Sequence, residues 1–344
     1  METITGINVG PVTDWLAEHV GLVAPLAFEL IAGGRSNLTF RVTDATSRAV
    51  ALRRPPVSHV LPTAHDMVRE HTIIAALEPL GVPVAKPLGL CTDLSVNGSP
   101  FYVMAFVDGL ILRDRDQAES AFDEATRATI GENLAATLAQ LHDVDPDQAG
   151  LGDLARHDGY VERQLRRWRT QYEQMRVDGA DHHRLIEDVG DRLAARIPLQ
   201  QRTSIVHGDY RLDNTVLDRT GSVAAILDWE ICTLGDPLAD VGVMLDYWAE
   251  PTDEVAALLG AAPSTAPGFI SRAQLLGAYG RHSTLDLSAV AYYQSFGYWK
   301  LACILQGVYA RYIAGATAGD QGSVTEFPTH IATLAELARQ ILEQ

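Results

Sequence analysis

Between residues 26 and 54 apolar and polar positions alternate. LAFELIAGG and LTFRVTD flank a small, polar stretch around Gly33-Gly34-Arg35-Ser36-Asn37, and SRAVALRR follows, stopping at Pro55-Pro56. A period of two interrupted by Gly-rich punctuation predicts a hairpin and a third strand. The period then lengthens: HDMVREHTIIAALEPLG sets Met67, Ile73, Ile74 and Leu77 at helical spacing and runs into Pro79 and Gly81, which predicts a helix and its end. KPLGLCTD and PFYVMAFVDG return to strand-like runs. The predicted order is three strands, one helix, two strands.

After Asp108-Gly109 helical spacing dominates. IGENLAATLAQLHDVDP places Ile130, Leu134, Leu138 and Leu141 on one face, and only short strands interrupt the remainder, around 204–206, 215–217 and 224–227. VERQLRRWRT puts Val161, Leu165 and Trp168 on one face and Arg163, Arg166 and Arg167 on another. That basic face is either solvated or a patch for an anionic substrate handle. The apolar stretch 289–316 is interrupted by Gln294, Lys300, Gln306 and Arg311, so it reads as a buried helix rather than a membrane span. Within it Tyr298, Trp299, Lys300 and Gln306 are candidates either for an acceptor pocket or for core. The predicted fold is α+β and bilobed. A small, mainly antiparallel β lobe with one helix covers 1–107, and a larger, mainly α lobe covers 108–344.

Composition narrows the partners. The 344 residues carry a formal net charge of −17, which repels phosphate backbones and anionic bilayers, so nucleic acid and membrane are not expected partners. Cys91, Cys232 and Cys303 are odd in number and widely spaced, as suits reduced thiols in the cytoplasm. METITGINVGPVTDWL lacks the basic and long apolar regions of a secretory signal. Lys86 and Lys300 are the two lysines; every other cationic side chain apart from histidine is arginine.

The chemistry concentrates in SIVHGDYRLDN and AAILDWE. Asp209 and Asn214 lie five apart on what must be a loop, because Gly208 follows a strand, and a strand-borne Asp228 arrives next to Trp229. One carboxylate can orient a hydroxyl, while an amide and a second carboxylate can bind a hard cation through oxygen. Arg211 stands two residues from Asp209, within reach of a transferred phosphoryl group. This set suits phosphoryl transfer, in which positioning and charge neutralisation do most of the catalysis. An HGD alone is commonly a capped turn; the spacing to Asn214 and Asp228, which matches the H-R-D-x-x-x-x-N and D-F-G pattern of protein kinases, makes it specific.

HGDYRLDN, ILDWE and LGDPLADVG together resemble the aminoglycoside-phosphotransferase family of small-molecule kinases, whose fold is similar to that of protein kinases. The resemblance runs from GGRSNLTF to at least Met244. It implies ATP and Mg²⁺ as cofactors and a small-molecule hydroxyl as acceptor. By that resemblance Asp209 is the catalytic base, His207 braces its loop, and Asn214 and Asp228 hold Mg²⁺. Gly33, Gly34, Ser36 and Asn37 cover the phosphates, Glu70 pairs with the phosphate-binding cation, and Ala105 to Val107 form the hinge that contacts adenine. Asp240 is expected to tie the catalytic loop in place. One position departs from the family: the third strand usually carries lysine, and here it carries Arg53, whose planar fork differs in reach. LRRPP, LPTAHDMVREH, LDWEICTLGDPLADVG and WKLACILQGVYARY are most similar to the kinase-like domains fused to acyl-CoA dehydrogenases, a branch associated with phosphorylating hydroxyacyl-CoA. The alternatives are an aminoglycoside or other sugar acceptor, or a nucleotide-binding chain with weak turnover.

Overall fold

The structure, a computed structural model, describes residues 4–31, 37–57, 66–177, 179, 182–253, 262–315 and 325–344. The chain begins with α1 (Val9–Val20), β1 (Ala27–Leu30), β2 (Leu38–Thr43), β3 (Ala49–Arg54), α2 (Met67–Leu77), β4 (Pro87–Cys91), α3 (Leu94–Asn97) and β5 (Phe101–Ala105). It continues with α4 (Arg115–Ala121), α5 (Glu124–Asp143), α6 (Tyr160–Gln174), α7 (His183–Ala194), β6 (Ser204–Val206), β7 (Thr215–Leu217), β8 (Val223–Ile226) and β9 (Thr233–Gly235). The last helices are α8 (Leu238–Tyr247), α9 (Arg272–His282), α10 (Val290–Ile313) and α11 (Phe327–Leu342).

Two compact units result. Unit 1 takes in Met1–Leu110 together with Thr215–Asp218 and Val223–Ile231; unit 2 takes in Ile111–Asn214, Arg219–Ser222 and Cys232–Gln344. The grouping differs from a single cut after 107, because the β7–β8 hairpin and the residues just after it pack with the N-terminal segment.

Unit 1 is built on an antiparallel five-stranded sheet in the order β1-β2-β3-β5-β4. Side chains on a strand alternate between faces. Phe40, Val42, Val50, Leu52 and Val103 point to one face, where they join Val12 and Leu16 of α1 in a dry core. Arg53 therefore projects from the opposite face, level with Thr39 on β2 and Tyr102 on β5. α2 presents Met67, Glu70, Ile73, Ile74 and Leu77 as its buried stripe. Glu70 is thus a core-facing residue, and it is only 1% exposed. Asp66 caps this helix, accepting from the Arg69 N–H at 3.0 Å. The sequence reading did not anticipate α1 or the short α3.

Unit 2 is mainly helical and includes the two-stranded antiparallel β6–β9 ladder. The stripe predicted for α5 is buried as expected: Ile130, Leu134, Leu138 and Leu141 are all inaccessible. α10 packs against α8 closely, because Gly242 of α8 lies against the Tyr293 backbone, where a Cβ would come within 2.6 Å of the Tyr293 carbonyl oxygen. The three cysteines are buried free thiols. Among the described residues no helix is long and apolar enough to cross a membrane.

Candidate active site

In unit 1 the predicted residues gather around Arg53. Its Nε donates to Glu70 Oε2 at 2.9 Å and its Nη2 to Asp228 Oδ1 at 2.5 Å, while Glu230 Oε2 stands 3.8 Å away. Asn37 Nδ2 donates to both Glu70 Oε1 and Glu230 Oε2 at 3.1 Å, and Tyr102 Oη donates to Glu70 Oε2 at 3.1 Å. Burial works against the guanidinium's charge, but the Glu70, Asp228 and Glu230 carboxylates overcome it and raise its pKa. Burial also raises Glu70, against the pull of Arg53. Asp228 follows β8 with φ +63°, a left-handed conformation unusual for a side chain with a Cβ. Trp229 anchors the turn, buried and donating its Nε1–H to the Ile226 carbonyl at 3.1 Å. That strained turn directs Asp228 toward Arg53.

Gly33, Gly34 and Ser36 of the expected phosphate-covering turn lie outside the described residues. Of the expected hinge, Ala105 already commits its N–H to the Lys86 carbonyl at 2.8 Å.

In unit 2 the catalytic-loop candidates follow β6. Asp240, in the first turn of α8 and fully buried, accepts from His207 N at 2.6 Å and Gly208 N at 2.7 Å, and His142 Nε2 lies 3.3 Å from its Oδ2. His142 Nδ1 in turn meets Tyr279 Oη at 2.8 Å. Burial opposes the Asp240 charge, yet His142, His207 and the Gly208 N–H hold its pKa below the usual value. Gly208 takes φ +87°, a turn glycine makes without strain. His207 is fully buried and its Nδ1 accepts from Asp209 N at 3.3 Å. Tyr210 is a second anchor, donating to the Leu134 carbonyl at 2.8 Å.

These ties present Asp209, which stays partly exposed. Arg211 Nε donates to Asp209 Oδ2 at 3.2 Å, and Asn214 Nδ2 donates to the same oxygen at 2.8 Å. Arg211 also pairs with Asp213 at 3.1 Å and lies over the Tyr247 ring at 4.6 Å. Burial works against this guanidinium, and the Asp209 carboxylate heads the neighbours that nevertheless raise its pKa. Among the described residues both side-chain donors to Asp209 fall on Oδ2 rather than Oδ1. The Asn214 amide nitrogen is committed to Asp209, donating to its backbone carbonyl as well at 2.8 Å.

A profile of the phosphotransferase enzyme family (APH) matches residues 27–274. This chain belongs to that family. Phosphotransferases of this kind act on a hydroxyl acceptor through an α+β, kinase-like fold, and the arrangement of strands and helices here is that fold. Mouse acyl-CoA dehydrogenase family member 10 is 34% identical over 312 residues, covering 89% of this chain and 28% of that protein. Chicken acyl-CoA dehydrogenase family member 11 is 34% identical over 320 residues, covering 90% of this chain and 40% of that protein. The chain therefore spans well under half of these relatives. The crystal structure of an aminoglycoside-phosphotransferase-like protein from Ralstonia eutropha JMP134 superposes with a TM-score of 0.80, at 30% identity and 97% coverage of both chains.

The sequence reading missed Glu230, Tyr102 and His142. Glu230 stood inside the quoted LDWE, two residues after Asp228. His142 was signalled by a polar side chain next to Leu141 on the apolar stripe of α5. Of the candidates on α10, Tyr298, Trp299 and Gln306 are buried in the core. Trp299 Nε1 donates to the Ile186 carbonyl at 2.9 Å, and Gln306 is held between His182 and the Met175 carbonyl.

Proposed function

We propose that this phosphotransferase uses ATP with Mg²⁺ and phosphorylates the hydroxyl of a hydroxyacyl-CoA, with Asp209 as general base. The observation that carries the reading is the asymmetric dress of the Asp209 carboxylate. Two donors hold Oδ2, Oδ1 is left for a hydroxyl, and Asp240 fixes the loop behind it. A base needs this combination of a fixed direction and an oxygen with room to accept.

In the proposed step Asp209 Oδ1 takes the proton as the acceptor oxygen bonds to the γ-phosphorus and the bond to the ADP oxygen breaks. The products are a phosphomonoester and ADP. Arg211 keeps the carboxylate oriented and supplies positive charge beside it. Asn214, through its amide oxygen, and Asp228, through the oxygen not bonded to Arg53, offer hard donors that suit Mg²⁺. Mg²⁺, when bound, would supply positive charge that offsets the charge of the nucleotide phosphates. The hydroxyacyl-CoA acceptor is supported by the two relatives, both named as acyl-CoA dehydrogenase family members.

The test is ATP consumption with Mg²⁺ across hydroxyacyl-CoAs and aminoglycosides, with Asp209→Asn as control. The variant should lose at least about 10²-fold in rate, the lower scale of general-base catalysis. An unchanged rate in the variant, or turnover confined to aminoglycosides, would refute the proposal. One observation favours a second reading. Arg53 binds the Asp228 oxygen Oδ1 that a metal could use, so a chain that binds nucleotide but turns over weakly would show binding without acceptor-dependent ADP.

A further inference from the structure

Lys300 stands apart from its neighbours on α10. Its Nζ donates to the Gly208 carbonyl at 3.1 Å, one peptide unit from Asp209. Its ammonium lies 5.7 Å from the Trp168 ring centre, and the Arg167 guanidinium lies 5.2 Å from the same ring. An ammonium has three N–H donors. Among the described residues Lys300 finds an acceptor for one of them, and the buried Trp168 Nε1 finds none. Burial pulls the lysine's pKa down, opposed by the nearby Asp209 and Asp240 carboxylates. A side chain kept only to tie the Gly208 carbonyl would need one donor and no charge. This half-buried side chain instead keeps a charge beside the base with donors to spare.

Resting on the phosphotransferase reading of Asp209, we propose that Lys300, with Arg167 beside it, is the acceptor-binding residue. Its ammonium donates to a carbonyl or anionic oxygen of the acceptor close to the hydroxyl being phosphorylated. The same two cations repel a polycationic amino sugar, so the acceptor class is carbonyl-bearing or anionic. The negative charge of the whole chain does not cancel this, because salt confines fields to about 8–10 Å.

Calorimetric binding of a short hydroxyacyl-CoA and of kanamycin, without nucleotide, reads the inference independently of turnover. Kinetics then separate the acceptor KM from the ATP KM. Lys300→Gln should weaken hydroxyacyl-CoA binding and raise its KM roughly 10- to 100-fold, the loss of one charge-assisted hydrogen bond. The ATP KM should stay within about 2-fold, and Lys300→Arg should restore part of the affinity. Wild-type acceptor affinity in Lys300→Gln with a lowered kcat would overturn the inference, reducing Lys300 to a tie for Gly208. Tighter binding of kanamycin than of the hydroxyacyl-CoA by the wild-type protein would also overturn it, as would no binding of the hydroxyacyl-CoA. Should Lys300→Gln not fold, the exposed Arg167→Gln carries the test: a several-fold loss of acceptor affinity supports the inference, and unchanged affinity overturns it. Failure of the parent reading shows separately, as ATP consumption in the wild-type protein that no hydroxyl acceptor stimulates.

Discussion

Replacing Arg53 with the lysine usual in this family should weaken the protein. The guanidinium reaches two carboxylates at once, Glu70 through Nε at 2.9 Å and Asp228 through Nη2 at 2.5 Å. The two contacts come from different nitrogens of a planar fork, which a single ammonium nitrogen does not reproduce; it should favour the more buried Glu70 and weaken the contact to Asp228. A charge-assisted hydrogen bond contributes about 1.5–3 kcal/mol. The Asp228 side chain is 31% exposed, so screening brings the expected loss to about 1–2 kcal/mol. A double-mutant cycle isolates the term. Arg53→Lys is measured by urea unfolding in the wild-type and Asp228→Ala backgrounds, and its cost should fall to within about 0.5 kcal/mol of zero in the second. An equal cost in both backgrounds would refute the argument, since the loss would then lie elsewhere in the arginine's packing.

Asp240→Asn should cost about 2–4 kcal/mol and lower kcat, because an amide NH₂ would face an N–H of His207 or Gly208 that loses its acceptor. The folded pKa of Asp240 lies below its ordinary 3.8, so its contribution is full above about pH 4 and is lost as pH falls through the folded value. Urea midpoints between pH 3 and 6 should therefore show the gap between wild type and Asp240→Asn closing at the acid end. Gly242→Ala should cost about 1–3 kcal/mol by overpacking, since its Cβ would meet the Tyr293 carbonyl rather than a side chain that can swing away; an unchanged melting temperature would show that α8 and α10 separate easily.

How much of this was legible in the sequence depends on what each residue needed. The succession of strands along unit 1 followed from period-two alternation, and α2 from its helical stripe. The burial of Glu70 was also encoded, because position 70 shares a face with Met67, Ile73, Ile74 and Leu77. Reading it needed a partner, and the parity of β3 supplies one: Val50 and Leu52 point into the core, so Arg53 points to the other face. Lys300 was not separable from Trp299 by pattern. A helix apolar nearly all round has no polar stripe to distinguish a core residue from one that leans on a loop 92 positions earlier. α1 escaped notice because much of VGPVTDWLAEHV is exposed, with Val12 and Leu16 alone buried. The role of Asp240 was legible from its motif, but its partner His142 lies 98 residues away in sequence.

The charge balance around Arg53 bears on why an arginine works at this position. The Arg53 guanidinium faces the carboxylates of Glu70, Asp228 and Glu230. Carboxylates held this close repel one another, and burial strengthens the repulsion. Asn37 relieves part of it by donating both amide hydrogens, one to Glu70 and one to Glu230, and Tyr102 relieves more, but neither brings charge. The planar fork reaches two of the carboxylates through separate nitrogens, Nε to Glu70 and Nη2 to Asp228. An arginine at this position is thus matched by its acidic surroundings, the carboxylates of Glu70, Asp228 and Glu230.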